Sequence, residues 1–433
     1  MSPDRTTNMP SHKSAPAYVP GHHWVAAANF DPTIQESYAF PNPLTIVDST
    51  LRKIIHISGI RPSIDSMLRI AEALEDVGVR EMMLDLHWWG DETPASLQLE
   101  ICRAVLARKF GFHITVATAS LLNAEEVVSM EHVIDTLRDI GMDTLMVSIG
   151  DPGNATARKR QSEGLAQVFS YALAGGTACS ISIVDFGRME SEYLLTIANE
   201  GIRLGATRIN LTDSFGSLSP EAMKFLVSRL RRGLSSQVPL TVHVHDDFGL
   251  ASATAIAAAT AGASPDVAVN GVSYRSGFAA LEEIALSLEL LYGVDTGLRL
   301  NRLKGLSDLV AAEIGLPNHV LKSIGGAHAF LIDMPPWVLS YLRGGGGQNV
   351  FPPPGVCVAP SVVGARTQVV WGDSSPRPVI RAKLDQMGLH ATQTQVLEIQ
   401  RRIQSGIDAI TSYPRWLTEG DVEAICRQVV SGS

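Results

Sequence analysis

Cysteine, aromatic residues and long apolar runs are all scarce in this chain of 433 residues. Its four cysteines, Cys102, Cys179, Cys357 and Cys426, lie far apart without paired spacing, which excludes a disulfide framework or zinc knuckle and predicts buried or inert thiols in a reducing compartment. Segment 1–43 holds no continuous apolar stretch, so neither a secretory signal nor a membrane span is expected, and the chain reads as cytoplasmic with no membrane partner. Basic runs are missing too: the net charge of -9 comes from both signs mixed along the chain, which excludes nucleic acid as a partner. The adjacent His22 and His23 invite a metal reading, but in a Pro-rich arm such a pair is expected to be solvated.

What is present is patterning. With 45% hydrophobic residues, the chain can hold one barrel of ~250 residues plus a smaller appendage. From residue 44 to 297, short apolar runs alternate with helical periodicity, the pattern of βα units around a parallel sheet. Strands are expected at 44–48, 81–86, 112–118, 143–150, 179–185, 207–213, 240–246 and 267–273. Ser63 should cap a helix carrying Ile64, Leu68, Ala71 and Leu74 on one face, and Gly78 should end it. The predicted fold is an α/β TIM (β/α)₈ barrel with a small, mainly helical C-terminal subdomain. The expected organisation is an arm over 1–43, a barrel over 44–300, a linker or lid over 301–367 and the subdomain over 368–433. The glycine run 344–347 and Pro352–Pro354 mark irregular backbone in the third segment, and nothing there matches a phosphate loop.

In such a barrel the reacting groups sit where strands end. The first strand end, VDSTLRK, supplies Asp48, Arg52 and Lys53; the second supplies Asp85 and His87; the fifth, Asp185 and Arg188. The sixth brings Asn210, Thr212, Asp213 and Ser214, and the seventh His243, His245, Asp246 and Asp247. His243 and His245, two apart on one strand, face the same way and converge as two imidazoles suited to a divalent cation. The competing reading is a pair of histidines hydrogen-bonded inside the barrel mouth, since two imidazoles fall short of a metal shell.

Six segments then carry a resemblance: VDSTLR, INLTDSFGSLSPE, HVHDDFGLASATAIAAATAGA, VNGVSYRSGFAALEE, VVWGDSSPRPVIRAKLDQMGL and LTEGDVEAI. They resemble the signature segments of the DRE-TIM metallolyase family, whose barrel is of the HMG-CoA lyase-like or pyruvate carboxyltransferase type. The nearest likeness is to its 2-isopropylmalate, homocitrate and citramalate synthases, over roughly residues 44–430. The resemblance implies an acyltransferase that joins an acyl-CoA, usually acetyl-CoA, to a 2-oxo acid held on a divalent metal (Zn, Mn or Mg), in a homodimer. It implies that Arg52 stabilises the developing oxyanion, that His243 and His245 bind the metal, and that Thr212 contacts the substrate carboxylate. His56, Asp85, His87, Asp213 and Arg275 are the further candidates for substrate binding.

Departures from that family are as informative. Where the family follows its arginine with an acidic metal ligand, glycine, an acid and glutamine, this chain has Lys53, Ile54, Ile55 and His56. Its Gly-Asn in the eighth unit is Gly277-Phe278 here, its glutamate on the second strand is Met83, and Val184 replaces a polar residue on the fifth. The segment FLIDMPPWV (330–338) also lacks the family's histidine. Three accounts follow: a rebuilt metal site in which Asp85, His87 or Asp246 joins the histidines; Lys53 standing in for the metal as electrostatic anchor or Schiff-base amine; or a silent homologue that binds a ligand or partner. The plain reading of Lys53 is a salt bridge to Asp85 or Asp246. Because new polar groups appear at the strand ends while Arg52, Thr212 and both histidines persist, the leading expectation is an enzyme of altered chemistry that makes or breaks a carbon–carbon bond.

Remaining features carry less. Trp88 and Trp89 could wall a pocket or pack on a helix, and Arg158, Lys159 and Arg160 with Arg188 could meet CoA phosphates or be ordinary solvated charge.

Overall fold

The computed structural model describes residues 16–86, 96–120, 124–344, 355–373 and 375–432. Contacts divide them into one unit within 30–317 and another within 16–29 and 318–432.

In the first unit, eight strands alternate with helices. They are β1 (Val47–Asp48), β2 (Glu81–Leu86), β3 (His113–Ser120), β4 (Thr144–Ile149), β5 (Ala178–Val184), β6 (Ile209–Asp213), β7 (Leu240–Val244) and β8 (Ala263–Val267). All pair in parallel, in chain order, and β8 returns to β1 with Asp266 opposite Val47, so the sheet closes into a barrel. The connecting helices are α1 (Thr50–Ile54), α2 (Ile64–Val77), α3 (Ser96–Ala107), α4 (Ala124–Asp139), α5 (Ala155–Ala174), α6 (Ser191–Leu204), α7 (Pro220–Gly233) and α8 (Ala251–Ala259). After β8 come α9 (Leu281–Leu291) and α10 (Leu303–Ile314). Local chemistry sets the ends of α2: the Ser63 hydroxyl accepts from the Ser66 N–H, and Gly78 takes a left-handed φ of 109°.

Seven strands fall at or near their expected places, β2 with the expected bounds. The eighth does not: β8 is Ala263–Val267, and the expected strand over 267–273 contains instead a tight turn at Val269–Gly271 with Asn270 at φ 60°. Ser264-Pro265 has the composition of a turn, which hides a strand that closure of the barrel holds in place.

Side chains two apart on a strand face the same way. Val47, Met83, Ala117 and Met146, from β1 to β4, form a small buried cluster. Asp85 therefore stands one layer above Met83, at the C-terminal rim.

The second unit contains a three-stranded sheet of β9 (Leu331–Ile332), β10 (Gln368–Trp371) and β11 (Leu417–Thr418). Its helices are α11 (Pro335–Arg343), α12 (Arg377–Gln386), α13 (Gln393–Asp408) and α14 (Glu419–Ser431), around a core that includes Trp371, Ile380, Ile399 and Ile403. Thr418 and Asp421 cap α14 reciprocally. The buried Lys383 ammonium ties α12 to α14 through Glu419 at 2.5 Å and Glu423 at 2.7 Å.

The expectation for the adjacent histidines needs correction. His23 is buried, not solvated, because its Nε2 reaches the Pro16 carbonyl while Nδ1 meets His22. Cys357 is exposed, whereas burial pushes the thiols of Cys102 and Cys179 up to about 12 and that of Cys426 to about 11. Residues 345–354, with most of the Gly/Pro cluster, lie outside the described residues. Among the described residues no helix is long and apolar enough to cross a membrane.

Candidate active site

The C-terminal rim of the barrel brings together two linked polar groups. The first is centred on Asp85 at the end of β2. Its carboxylate meets Arg52 Nε at 2.6 Å and His56 Nε2 at 3.0 Å, both presented by α1 and the turn after it. Arg52 also donates to the Met83 sulfur at 2.8 Å, so the residue standing in place of a glutamate still receives the guanidinium, as a weak neutral acceptor.

The second group is a chain running Asp266, His243, Lys53. His243 and Asp266 are register partners on β7 and β8, and His243 Nδ1 donates to Asp266 Oδ2 at 2.5 Å. With its proton on Nδ1, His243 offers the Nε2 lone pair to Lys53 Nζ at 2.8 Å. His245 Nδ1 donates to the Gly277 carbonyl at 3.2 Å, and its Nε2 lies 3.5 Å from the same amine. Both imidazoles converge, as their spacing predicted, but on a lysine. Phe278 and Tyr274 cover the amine, with ring centroids at 4.8 and 5.6 Å.

Electrostatics follow from enclosure. Lys53 is 2% exposed, and burial, then the Arg52 charge, lowers its pKa far below the usual amine range. Burial likewise lowers His243 and His245, so both are neutral acceptors. Asp266 is raised by burial, against the pull of Arg52.

The other expected residues are held by neighbouring strands and loops. Thr212, opposite His243 on the neighbouring strand, shares its hydroxyl with Ser182 at 2.9 Å and the Asn210 amide at 3.1 Å. Asp213 spends its oxygens on Ser217 and Leu218 in the loop after β6. Asp246 accepts from the Ala251 N–H at the start of α8. Arg275, at a left-handed φ of 57°, grips Asp247 with two nitrogens and the Ser214 carbonyl with one, joining three loops. Arg188 stacks on Phe215, and Arg158 pairs with Asp151 and lies over Tyr193. His87, Trp88 and Trp89 lie outside the described residues.

Sequence reasoning missed Asp266, Ser182, and the covering role of Tyr274 and Phe278. An acid directly across the sheet from His243 was the available signal, concealed by the misplaced eighth strand.

A divalent cation does not fit this donor set. The point that both Nε2 atoms face is taken by the Lys53 nitrogen, and Phe278 presents a hydrocarbon ring beside it. Among the described residues no three His, Cys, Asp or Glu side chains group to hold a metal ion. Of the residues expected to complete the shell, the two that are described are occupied: Asp85 by Arg52 and His56, Asp246 by the start of α8.

A closed parallel barrel with its polar residues gathered at the C-terminal rim defines the class. The sequence pattern of the HMGL-like family matches residues 43–310, and the chain belongs to that family. The chain is 28% identical to the (R)-citramalate synthase CimA of Methanocaldococcus jannaschii, over 89% of this chain and 74% of that protein. It is 27% identical to the homocitrate synthase AksA of Methanopyrus kandleri, over 90% and 93% respectively. The crystal structure of the HMG-CoA lyase of Bacillus subtilis superposes with a TM-score of 0.54 at 16% identity, covering 64% of this chain and 96% of that one, a likeness of fold.

Proposed function

We propose that the protein is a divergent alkylmalate-synthase-like enzyme that makes or breaks a carbon–carbon bond at a 2-oxo acid bound at the barrel rim. One observation carries the proposal: Lys53 Nζ sits between His243 and His245 at the point a metal would hold, beside the Arg52–Asp85 pair. The synthase relatives point to the substrate class, because citramalate and homocitrate are 2-hydroxy acids built from 2-oxo acids.

Each group has a task in this reading. Arg52, held by Asp85 and His56, stabilises the negative oxygen that forms during reaction. The Thr212 hydroxyl, set by Ser182 and Asn210, orients the substrate carboxylate. His243, oriented by Asp266, moves protons. No step passes through a metal, because the donor set does not accommodate one.

A panel of 2-oxo acids, each with and without acetyl-CoA, tests the proposal. Thiol release reports condensation, and CoA-independent consumption of the oxo acid or release of a second carbonyl compound reports aldol or lyase chemistry. Binding of oxo acids with no turnover in either format would overturn it. That result would support a second reading, a catalytically silent ligand-binding homologue, which is favoured by the near-complete burial of Lys53 and Asp85.

A further inference from the structure

We infer that Lys53 is a covalent nucleophile that forms a Schiff base with the ketone of the 2-oxo acid, so the bond made or broken lies at C3 of that acid. This rests on the proposal that the rim binds a 2-oxo acid, and it narrows the chemistry done there.

The argument starts from hydrogen-bond counting. A neutral primary amine has two N–H donors and one lone pair. Lys53 faces two acceptors, His243 Nε2 at 2.8 Å and His245 Nε2 at 3.5 Å, each made an acceptor because its other ring nitrogen donates elsewhere. Two imidazoles therefore take both N–H groups of an amine and leave the lone pair free. Among the described residues, the third N–H of an ammonium would face the rings of Phe278 and Tyr274 and no oxygen or nitrogen acceptor. Nucleophile, base and orienting acid then stand in line as Lys53, His243 and Asp266, the arrangement by which active sites activate a weak nucleophile.

The step balances. The nitrogen lone pair attacks C2, and the carbonyl π pair moves to oxygen, where the nearby Arg52 meets the charge. His243 accepts one N–H proton and passes it to that oxygen, giving a carbinolamine. A second proton, from solvent, lets the oxygen leave as water, and a protonated C=N bond remains with one N–H toward His245. This iminium draws electrons from C3, so either a C3 proton or a C3–C4 bond can be lost to give an enamine. Once C3 takes up a proton or a carbonyl electrophile the iminium re-forms, and water then adds to C2 and frees the lysine.

The same bookkeeping excludes attack of an acyl-CoA enolate on the iminium as a productive route. That attack would leave C2 as a saturated carbon bonded to nitrogen, which hydrolysis does not release. The reaction therefore joins no acyl-CoA carbon to C2, in contrast to condensation there.

Full-length protein is incubated with pyruvate, 2-oxobutyrate or 2-oxoisovalerate and sodium borohydride, then mapped by peptide mass spectrometry. Exchange of C3 protons into deuterium oxide is followed by NMR without CoA, and oxo-acid binding by calorimetry. Expected are a near-stoichiometric reduced adduct on Lys53 with at least one acid, and C3 exchange that falls at least a hundredfold in Lys53→Arg. An adduct that persists in Lys53→Arg overturns the inference, as does binding and C–C turnover with no adduct on Lys53. Absence of oxo-acid binding overturns both this inference and the functional proposal on which it rests.

Discussion

Asp266 Oδ2 lies 2.5 Å from His243 Nδ1, with both residues buried and directly opposed on β7 and β8. This contact fixes which imidazole nitrogen faces Lys53. Asp266→Asn removes the carboxylate that holds the proton on Nδ1 and weakens His243 as a base. Turnover is expected to fall ~10²–10⁴-fold, and stability by about 1.5–3 kcal/mol through loss of a hydrogen bond to a charged group. Steady-state kinetics and urea unfolding check both figures; unchanged turnover would remove His243 from the chemistry.

Arg52 presents a planar guanidinium to Asp85 and to the Met83 sulfur at once. Lysine cannot reproduce two divergent contacts. Arg52→Lys should lower turnover ~10²–10³-fold, the usual loss of an oxyanion-stabilising donor. Substrate affinity measured alongside should change far less, because the contact tightens as charge develops.

Asp48 makes stability depend on pH in a direction that separates it from the histidines. Burial pushes its carboxyl up to about 7 from 3.8, against hydrogen bonds from Thr50. The folded state thus binds the extra proton, and Asp48's contribution is lost as pH rises from about 4 through 7. His56, His243 and His245 run the other way: burial lowers each below 6.5, so their contribution is gained as pH rises toward 6.5. Comparison with Asp48→Asn isolates the carboxyl. Relative to that variant, the wild type should lose on the order of 2–4 kcal/mol between pH 4 and pH 8, measured by denaturant unfolding. A constant difference would show that Asp48 does not titrate in this range.

The donor set can be tested by rebuilding it. Lys53→Asp combined with Phe278→Asn removes the amine and the ring and supplies oxygen ligands beside His243 and His245. That double variant should bind one Zn or Mn per chain by calorimetry and elemental analysis, while the wild type binds substoichiometric amounts. Stoichiometric metal in the wild type would contradict the misfit of a cation at this point.

Much of this was legible in the sequence, for identifiable reasons. The i, i+2 spacing of His243 and His245 needed only strand geometry to predict convergence, and Ser63 and Gly78 announced the ends of α2 through local bonding. Asp85 and His56 were recognisable as polar groups at the rim. Their partners were not, because pairing across a barrel depends on register between distant segments. The plainest of the readings of Lys53 gives it a carboxylate; its amine instead meets two imidazoles, since Arg52 and His56 take Asp85. Asp213 reads as a substrate group from its place at the end of β6, yet its carboxylate orders the loop that follows, a local competition that position alone does not reveal.

The central claim is that a lysine amine performs at this rim the task of a metal. Carbon–carbon turnover of a 2-oxo acid, measured in excess chelator for the wild type and Lys53→Met, tests it most directly. Wild-type turnover is expected to be unaffected by the chelator and Lys53→Met to show none, with both proteins folded by circular dichroism. Wild-type turnover that stops when metal is removed, or turnover that survives in Lys53→Met, would contradict it.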